Sequence, residues 1–313
     1  MQIDRSEWLL LASGLLIALA GFLVPSWMVS IATSAFATAL VVQGVVLLIR
    51  AGLVSFGQGL FFGIGGYAAG MGNRFLGMTE VFSMLALGLV VAVALAMVLG
   101  LLVSRYREIF FAMLTLAFSM IAYGVLVKSR ALGSTDGFGI EAWHILGWTP
   151  PEGYGQLSLF LLTVAIGSVV AILLHRYRRS ALGLACEAIR ENEVRVEYMG
   201  ISQRLVLYIN YVIAAAVGAL GGSLYALTVG HVDPEMVYWT TSGELVFIAL
   251  LAGSGHVAAP FIAALVFALV RTYAVQLIPN AWQMGLGITL LLIILFLPGG
   301  IWSLFTRLRR AMS

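Results

Sequence analysis

The sequence predicts an all-α integral membrane protein of about ten transmembrane helices, and two observations carry that expectation. Hydrophobic residues make up 61% of the 313 positions and charged residues only 10%, against roughly 25% charged in an ordinary soluble domain. A soluble core of this size cannot hide so much apolar surface, so the solvent for most of the chain is lipid. The apolar residues also fall into runs of about 20, the length that crosses a hydrocarbon layer roughly 30 Å thick.

Taken in order, the runs are 8–29, 31–49, 52–71, 81–103, 109–127, 157–174, 205–230, a short one at 242–255, then 258–278 and 282–304. The whole chain, 1–313, reads as a single transmembrane domain with a charged loop at 176–204 and a long loop at 128–155 on the other side. Ten runs divide into two halves of five that enter the membrane from opposite sides. The glycine-rich third run and the short eighth run then correspond, and paired short or glycine-interrupted segments in inverted halves point to a translocation site.

Arginine placement sets the expected orientation. With the amino terminus inside, ten spans put Arg5, Arg50, Arg105, Arg107, the six arginines of 176–204, Arg307, Arg309 and Arg310 inside. Arg74, Lys128 and Arg130 fall outside, and Arg271 lies within a span. Positive charge collects on the cytoplasmic side, so both termini are expected there. Ala35-Phe36-Ala37 resembles a signal-peptide cleavage site, but Asp4, Glu7 and the length of the first run argue for a retained helix.

Residues 52–71 contain seven glycines, with small pairs at four-residue spacing in Gly59/Gly63 and Gly66/Gly70. That pattern suits tight helix packing, and it equally suits a helix that breaks around a path. A broken helix frees backbone groups that must face protein or a water-filled cavity, and Ser55 and Gln58 are polar side chains able to serve such a path. Ionisable residues within spans mark function by default, and here they are Glu244 and Arg271. They read either as a proton-coupling pair or as a snorkelling arginine and a glutamate near a helix start. In the 128–155 loop, Asp136-Gly137 signals a turn, while Trp143, His144 and Trp148 suit an interfacial belt or a docking surface for an outside partner.

The 176–204 segment holds six of the chain's basic residues and four of its acids. It reads as a helix from about 184 to 199, closed by Gly200. Glu187/Arg190 and Glu191/Arg195 stand at helical neighbour spacing. Ala185, Ala188, Ile189 and Val196 supply a modest apolar set, for a partner's groove or for a solvated connector. No GxxxxGK phosphate loop is present, so ATP hydrolysis by that device is not expected of this chain. Four scattered histidines and the single Cys186 do not make metal-ligand spacing. No motif calls for a cofactor or for nucleic acid.

Several segments together resemble the permease subunits of branched-chain amino acid ABC importers of the LivM type. They are SFGQGLFFGIGGY at 55–67, the 133–137 loop, AIREN at 188–192 with Gly200-Ile201, Gly221-Gly222, Asp233-Pro234, LAGSG at 251–255 with Pro260, and LPGG at 297–300. The resemblance runs from about 52 to 301 in the family's order. It implies a second permease subunit, two ATP-binding subunits on the cytoplasmic face and a periplasmic binding protein, in a bacterial inner membrane. It casts 184–200 as the coupling helix, with Glu187, Arg190, Glu191, Asn192, Arg195 and Gly200 facing the ATPases. It casts Ser55, Gln58, Gly59, Gly63, Gly66, Ser242 and Glu244 as lining the path. Val196, Glu197, Tyr198 and Met199 depart from the small residues expected there, and His256-Val257 replaces a tighter turn.

Other readings stay open on the residues alone. The cargo can be urea, an amide or an aromatic acid instead of a branched-chain amino acid, since a path with few fixed charges suits a net-neutral small molecule. A proton-coupled secondary carrier built on Glu244 is an alternative of another class, whereas an intramembrane enzyme lacks any catalytic cluster. Glu244→Gln separates the first two in an uptake assay. It abolishes proton-driven transport by a self-sufficient carrier and leaves ATP-driven import largely intact.

Overall fold

The computed structural model of the chain describes residues 5–151 and 153–277, together with 281, 284, 285, 287, 288, 291, 295 and 300–303. The expected tenth span, 282–304, and the arginines at 307–310 fall mostly or wholly outside the described residues. The chain is α-helical nearly throughout: α1 (Arg5–Ala20), α2 (Ser26–Arg50), α3 (Gln58–Leu76), α4 (Val81–Val103), α5 (Glu108–Lys128), α6 (Gly155–Arg178), α7 (Ala181–Glu191), α8 (Glu193–Tyr198), α9 (Gln203–Val229), α10 (Trp239–Ala252) and α11 (Ala259–Leu277). Six of them, α2, α4, α5, α6, α9 and α11, are long and apolar enough to cross a membrane. Apolar α1 and α10 are shorter, so the expected count of ten is met in part.

Two expected boundaries move. The first run, 8–29, is broken at 21–25, where the chain turns and Pro25 opens α2. Proline lacks an N–H and is pre-set for the start of a helix, so α2 begins after it and not at 31. The third run, 52–71, is helical only from Gln58. Gly52 adopts φ +78°, and the backbone to Gly57 stays non-helical, with the Gly57 N–H donating to Ser55 Oγ. The same sequence of parts recurs later: α9 ends at Gly230 with φ +72°, a non-helical stretch follows, and short α10 begins at Trp239. α2 and α9 thus each lead through a broken stretch into a shorter helix.

α2 and α9 form the centre, with α3 and α4 packed on α9 and α6 and α11 on α2. Tyr211 of α9 anchors this core edge-on to Phe61 of α3 and Phe111 of α5, with ring centroids 5.5 and 6.2 Å apart. Glycine sets the closeness of α3 and α9: a methyl on Gly222 would lie 1.9 Å from Phe62 O, and one on Gly65 2.1 Å from Ala219 O. Buried polar side chains then bond backbone carbonyls across the seam. Gln58 Nε2 donates to Ala214 O at 2.8 Å and Ser223 Oγ to Gly65 O at 2.9 Å, while Asn210 Nδ2 ties α9 to α2 by donating to Leu47 O at 3.1 Å. In lipid such bonds contribute about 0.6 kcal/mol each, up to about 1.7 kcal/mol.

At one end the long loop folds back on the bundle. Strand β1 (Phe138–Gly139) pairs antiparallel with β2 (His231–Val232), a 3-10 turn Pro234–Val237 follows, and Arg74 sits 5.1 Å over the Phe138 ring. At the other end gather Arg50, Arg107, Arg176, Arg178 and the α7–α8 segment.

The glycine seam is testable by a single methyl group. Gly222→Ala is expected to lower unfolding stability in detergent by about 1–3 kcal/mol, the ordinary cost of overpacking. Gly124→Ala on α5, where an added methyl meets no atom within 4 Å, is expected to be neutral or stabilising by up to about 1 kcal/mol.

Candidate functional site

A cavity of about 470 Å³ lies between α2, α10, α11 and the stretch after α9. α2 contributes Ser30, Ser34 and Thr38, three hydroxyls at four-residue spacing on one helix face. α10 contributes Thr240, Thr241 and Glu244, α11 contributes Arg271 and Thr272, and Asp233 and Glu235 come from the connecting stretch. Phe62, Leu245, Ile248 and Phe267 add apolar lining. These positions fall in the starting portions of α2 and α10 and the closing portion of α11, so the cavity sits toward the end that carries the long loop.

Arg271 Nη1 donates to Glu244 Oε2 at 3.2 Å across this cavity. Arg271 thus has Glu244, in the first part of α10, as a partner. Both side chains keep contact with the open space, 47% and 32% exposed, so their attraction contributes only about 0–1 kcal/mol. Asp233 differs: its Oδ1 is buried and finds no hydrogen-bond donor among the described residues.

Of the residues expected to line a path, Glu244 reaches this cavity and the others stand behind it in packed protein. Ser55, Gln58 and Ser242 are fully buried, and Ser242 Oγ accepts from the Gly59 N–H at 3.1 Å. A methyl on Gly63 would strike Val237, and one on Gly66 would strike Met236. Asp233, Arg271 and the α2 hydroxyls were not singled out as path residues. The Ser30/Ser34/Thr38 spacing was the signal available, but it merges into a run that otherwise reads as plain helix.

The charged segment is two helices, not the single helix expected from 184 to 199. Asn192 breaks it with an extended backbone, ends α7 and caps α8 by accepting from the Arg195 N–H at 2.9 Å. An asparagine side chain that replaces the backbone partner in this way favours a new helix start over continuation. Ser180 caps α7 and Ser202 caps α9 in the same manner, and Gly200 with φ +78° closes α8 as expected. Because the break falls between Glu191 and Arg195, and Glu187 is taken by Arg50 of α2, neither expected pair within the segment forms among the described residues.

Ion pairs instead tie the segment outward. Glu193 accepts from Arg107 Nε at 2.9 Å, Glu187 pairs with Arg50, and Arg176, at the end of α6, pairs at 2.7 Å with the buried Glu7 of α1. Arg50 and Arg178 both donate to the Ser254 carbonyl, at 2.9 and 2.8 Å. His256 stacks on Trp302 with centroids 4.4 Å apart and planes 8° from parallel. Ala185, Ile189 and Val196 point inward, together with Cys186, whose thiol is pushed up by burial. Arg190, Glu191, Asn192 and Arg195 are exposed beside Leu184, Tyr198 and Met199.

At the opposite end, Glu80 holds the 128–155 loop. Its carboxylate accepts from the Leu146 and Gly147 N–H groups and from His144 Nδ1 at 2.6 Å, while His144 Nε2 meets Thr79 Oγ1 at 2.8 Å. Trp143 packs on the core and Trp148 is exposed.

The apolar helices and the polar cavity between them define a multi-pass membrane permease. The chain belongs to the family described as "Branched-chain amino acid transport system / permease component", whose model matches residues 27–297. It is 29% identical over 242 residues to the high-affinity branched-chain amino acid transport system permease protein LivM of Escherichia coli (strain K12). That match covers 70% of this chain and 57% of the relative, so the alignment spans a little over half the relative's length. It is also 24% identical over 151 residues to the corresponding permease protein BraD of Pseudomonas aeruginosa, covering 47% of each. No solved structure matches.

The loop anchor carries a pH signature. The Leu146 N–H first, then Gly147 and His144, hold Glu80 below the ordinary carboxylate value against the opposing effect of burial. A carboxylate depressed in the folded state contributes stability above its unfolded pKa of about 4.3, and loses it as pH falls through the lower folded value. Proteolysis within 141–148 is expected to be slow at neutral pH and to accelerate below about pH 4. Glu80→Gln should be cleaved faster at neutral pH and respond less to acid.

Proposed function

We propose that the whole chain is one transmembrane permease domain of an ATP-driven importer in a bacterial inner membrane, carrying branched-chain or related amino acids. The observation that carries this reading is the exposed face of α7–α8. Tyr198, 88% exposed, and Met199, 62% exposed, stand beside Arg190, Glu191 and Asn192 at the arginine-rich end. Exposed apolar side chains rimmed by charge mark a protein contact, and the positive-inside rule puts this end in the cytoplasm. Two ATP-binding subunits are the partners such a face serves, Glu187, Arg195 and Gly200 shaping it from within or alongside. A second permease subunit completes the membrane unit, and an extracytoplasmic binding protein delivers cargo to the end that carries the 128–155 loop.

Three ion pairs and the Ser254 carbonyl connect the charged end to α1, α2, the α4–α5 turn and the α10–α11 turn. Nucleotide binding to the ATPases favours one of two arrangements, and this connected end passes the difference to α2 and α10, which wall the cavity. Ser55, Gln58, Gly59, Gly63, Gly66 and Ser242 act in this scheme as the close-packed seam on which those walls are built, while Glu244 faces the path.

The reading makes a composite prediction. Affinity purification from native membranes in mild detergent should recover two P-loop ATPases and a second permease. Arg190→Ala with Glu191→Ala should leave insertion unchanged, abolish amino acid uptake and leave ATP hydrolysis uncoupled from transport. Normal uptake by that double variant would refute the coupling role.

A further inference from the structure

We infer that the 470 Å³ cavity is a binding site for a zwitterionic aliphatic amino acid, with Arg271 taking the α-carboxylate, Asp233 the α-ammonium and the apolar wall the side chain. This rests on the importer reading above and adds a cargo site within the permease itself.

The cavity supplies both charges that a zwitterion needs. Arg271 donates to Glu244 at 3.2 Å, which fixes the guanidinium in the cavity, and its planar fork carries five donors in all, more than one carboxylate uses. Asp233 presents a buried carboxylate oxygen with no donor among the described residues. A buried acceptor without a partner costs about 1–3 kcal/mol, and an ammonium arriving with three N–H donors removes that cost. The Ser30, Ser34 and Thr38 hydroxyls lie along the same face and serve the ligand's remaining hydrogen bonds.

The remaining wall selects the side chain. Phe62, Leu245, Ile248 and Phe267 come from α3, α10 and α11 and carry no charge. A branched aliphatic group is desolvated there at about 25 cal/mol per Å² of apolar surface removed from water. A negative charge on the side chain would meet Asp233, Glu235 and Glu244 among the lining residues, with Arg271 already engaged, which is strongly unfavourable. The volume falls within the roughly 300–1,000 Å³ of small-molecule sites.

The test uses the permease purified with its partner subunits and without any binding protein. Thr240, an exposed cavity residue, is replaced in Thr240→Cys and labelled with a maleimide. L-leucine should slow labelling several-fold, while isoamylamine and 4-methylpentanoate, which each lack one charge, should slow it far less. Adding Arg271→Gln or Asp233→Asn should remove the protection by leucine. Should Arg271→Gln fail to assemble, Arg271→Lys keeps the charge without the fork and should weaken protection in part. Equal protection by all three probes, no protection by leucine, or protection surviving in the Asp233 and Arg271 variants would overturn the site. ATP-driven leucine uptake, measured on the same complex with a binding protein restored, reports the importer reading separately. Uptake without protection refutes the site alone, and recovery of the chain without ATPases refutes the importer reading itself.

Discussion

Close approach of α3 and α9 is the constraint on which the rest of the structure depends. With no water in the bilayer core, backbone polar groups must be satisfied by protein, and helices associate by packing and hydrogen bonds, not by hydrophobic drive. Gly65 and Gly222 bring the two backbones together so closely that each stands against a carbonyl of the other helix. Gln58 of α3 and Ser223 of α9 can then each reach a backbone carbonyl of the facing helix from side chains that are themselves buried. Remove the glycines and those polar groups lose their partners as well as their packing.

The seam also explains how a broken segment is tolerated beside it. The non-helical stretch before α3 carries backbone groups into the protein, and Ser55 takes up part of that load by accepting from the Gly57 N–H. The matching stretch before α10 is tied down at its outer edge by the two-residue sheet with 138–139 and by Ser119 Oγ, which donates to Val237 O at 2.6 Å. Two long, central helices can therefore each run into a shorter one without exposing backbone to lipid. The cavity opens where the second of these short helices leaves the seam.

Much of this was legible in the sequence, and the failures have physical causes. Long apolar runs located α4, α5, α6, α9 and α11 closely, because a bilayer demands length and apolarity and both are written in composition. The glycine content of 52–71 is visible, but its two meanings, packing and path, share one composition, and the contact of Gly65 with the Ala219 carbonyl appears only in three dimensions. Pro25 was hidden within an apolar run whose hydropathy continues unbroken across it. Charge spacing on both sides of Asn192 fits one continuous helix, whereas its side chain competes for the Arg195 N–H and starts another. The pairing of Arg50 with Glu187 is invisible in the sequence, since 137 residues separate them.

Membrane economy gives the Glu244–Arg271 pair its meaning. A lone ion in a span is expensive, so its presence asks for a partner or for water. Here it has both: an opposite charge at 3.2 Å and an open, hydroxyl-lined cavity. A pair serving structure alone would gain more from full burial in tight geometry, or from replacement by apolar residues of similar size. This one remains partly exposed beside an unpartnered Asp233 oxygen. An entering group that carries both charges would offer a partner to each, which is the physical reason for proposing the cavity as a site.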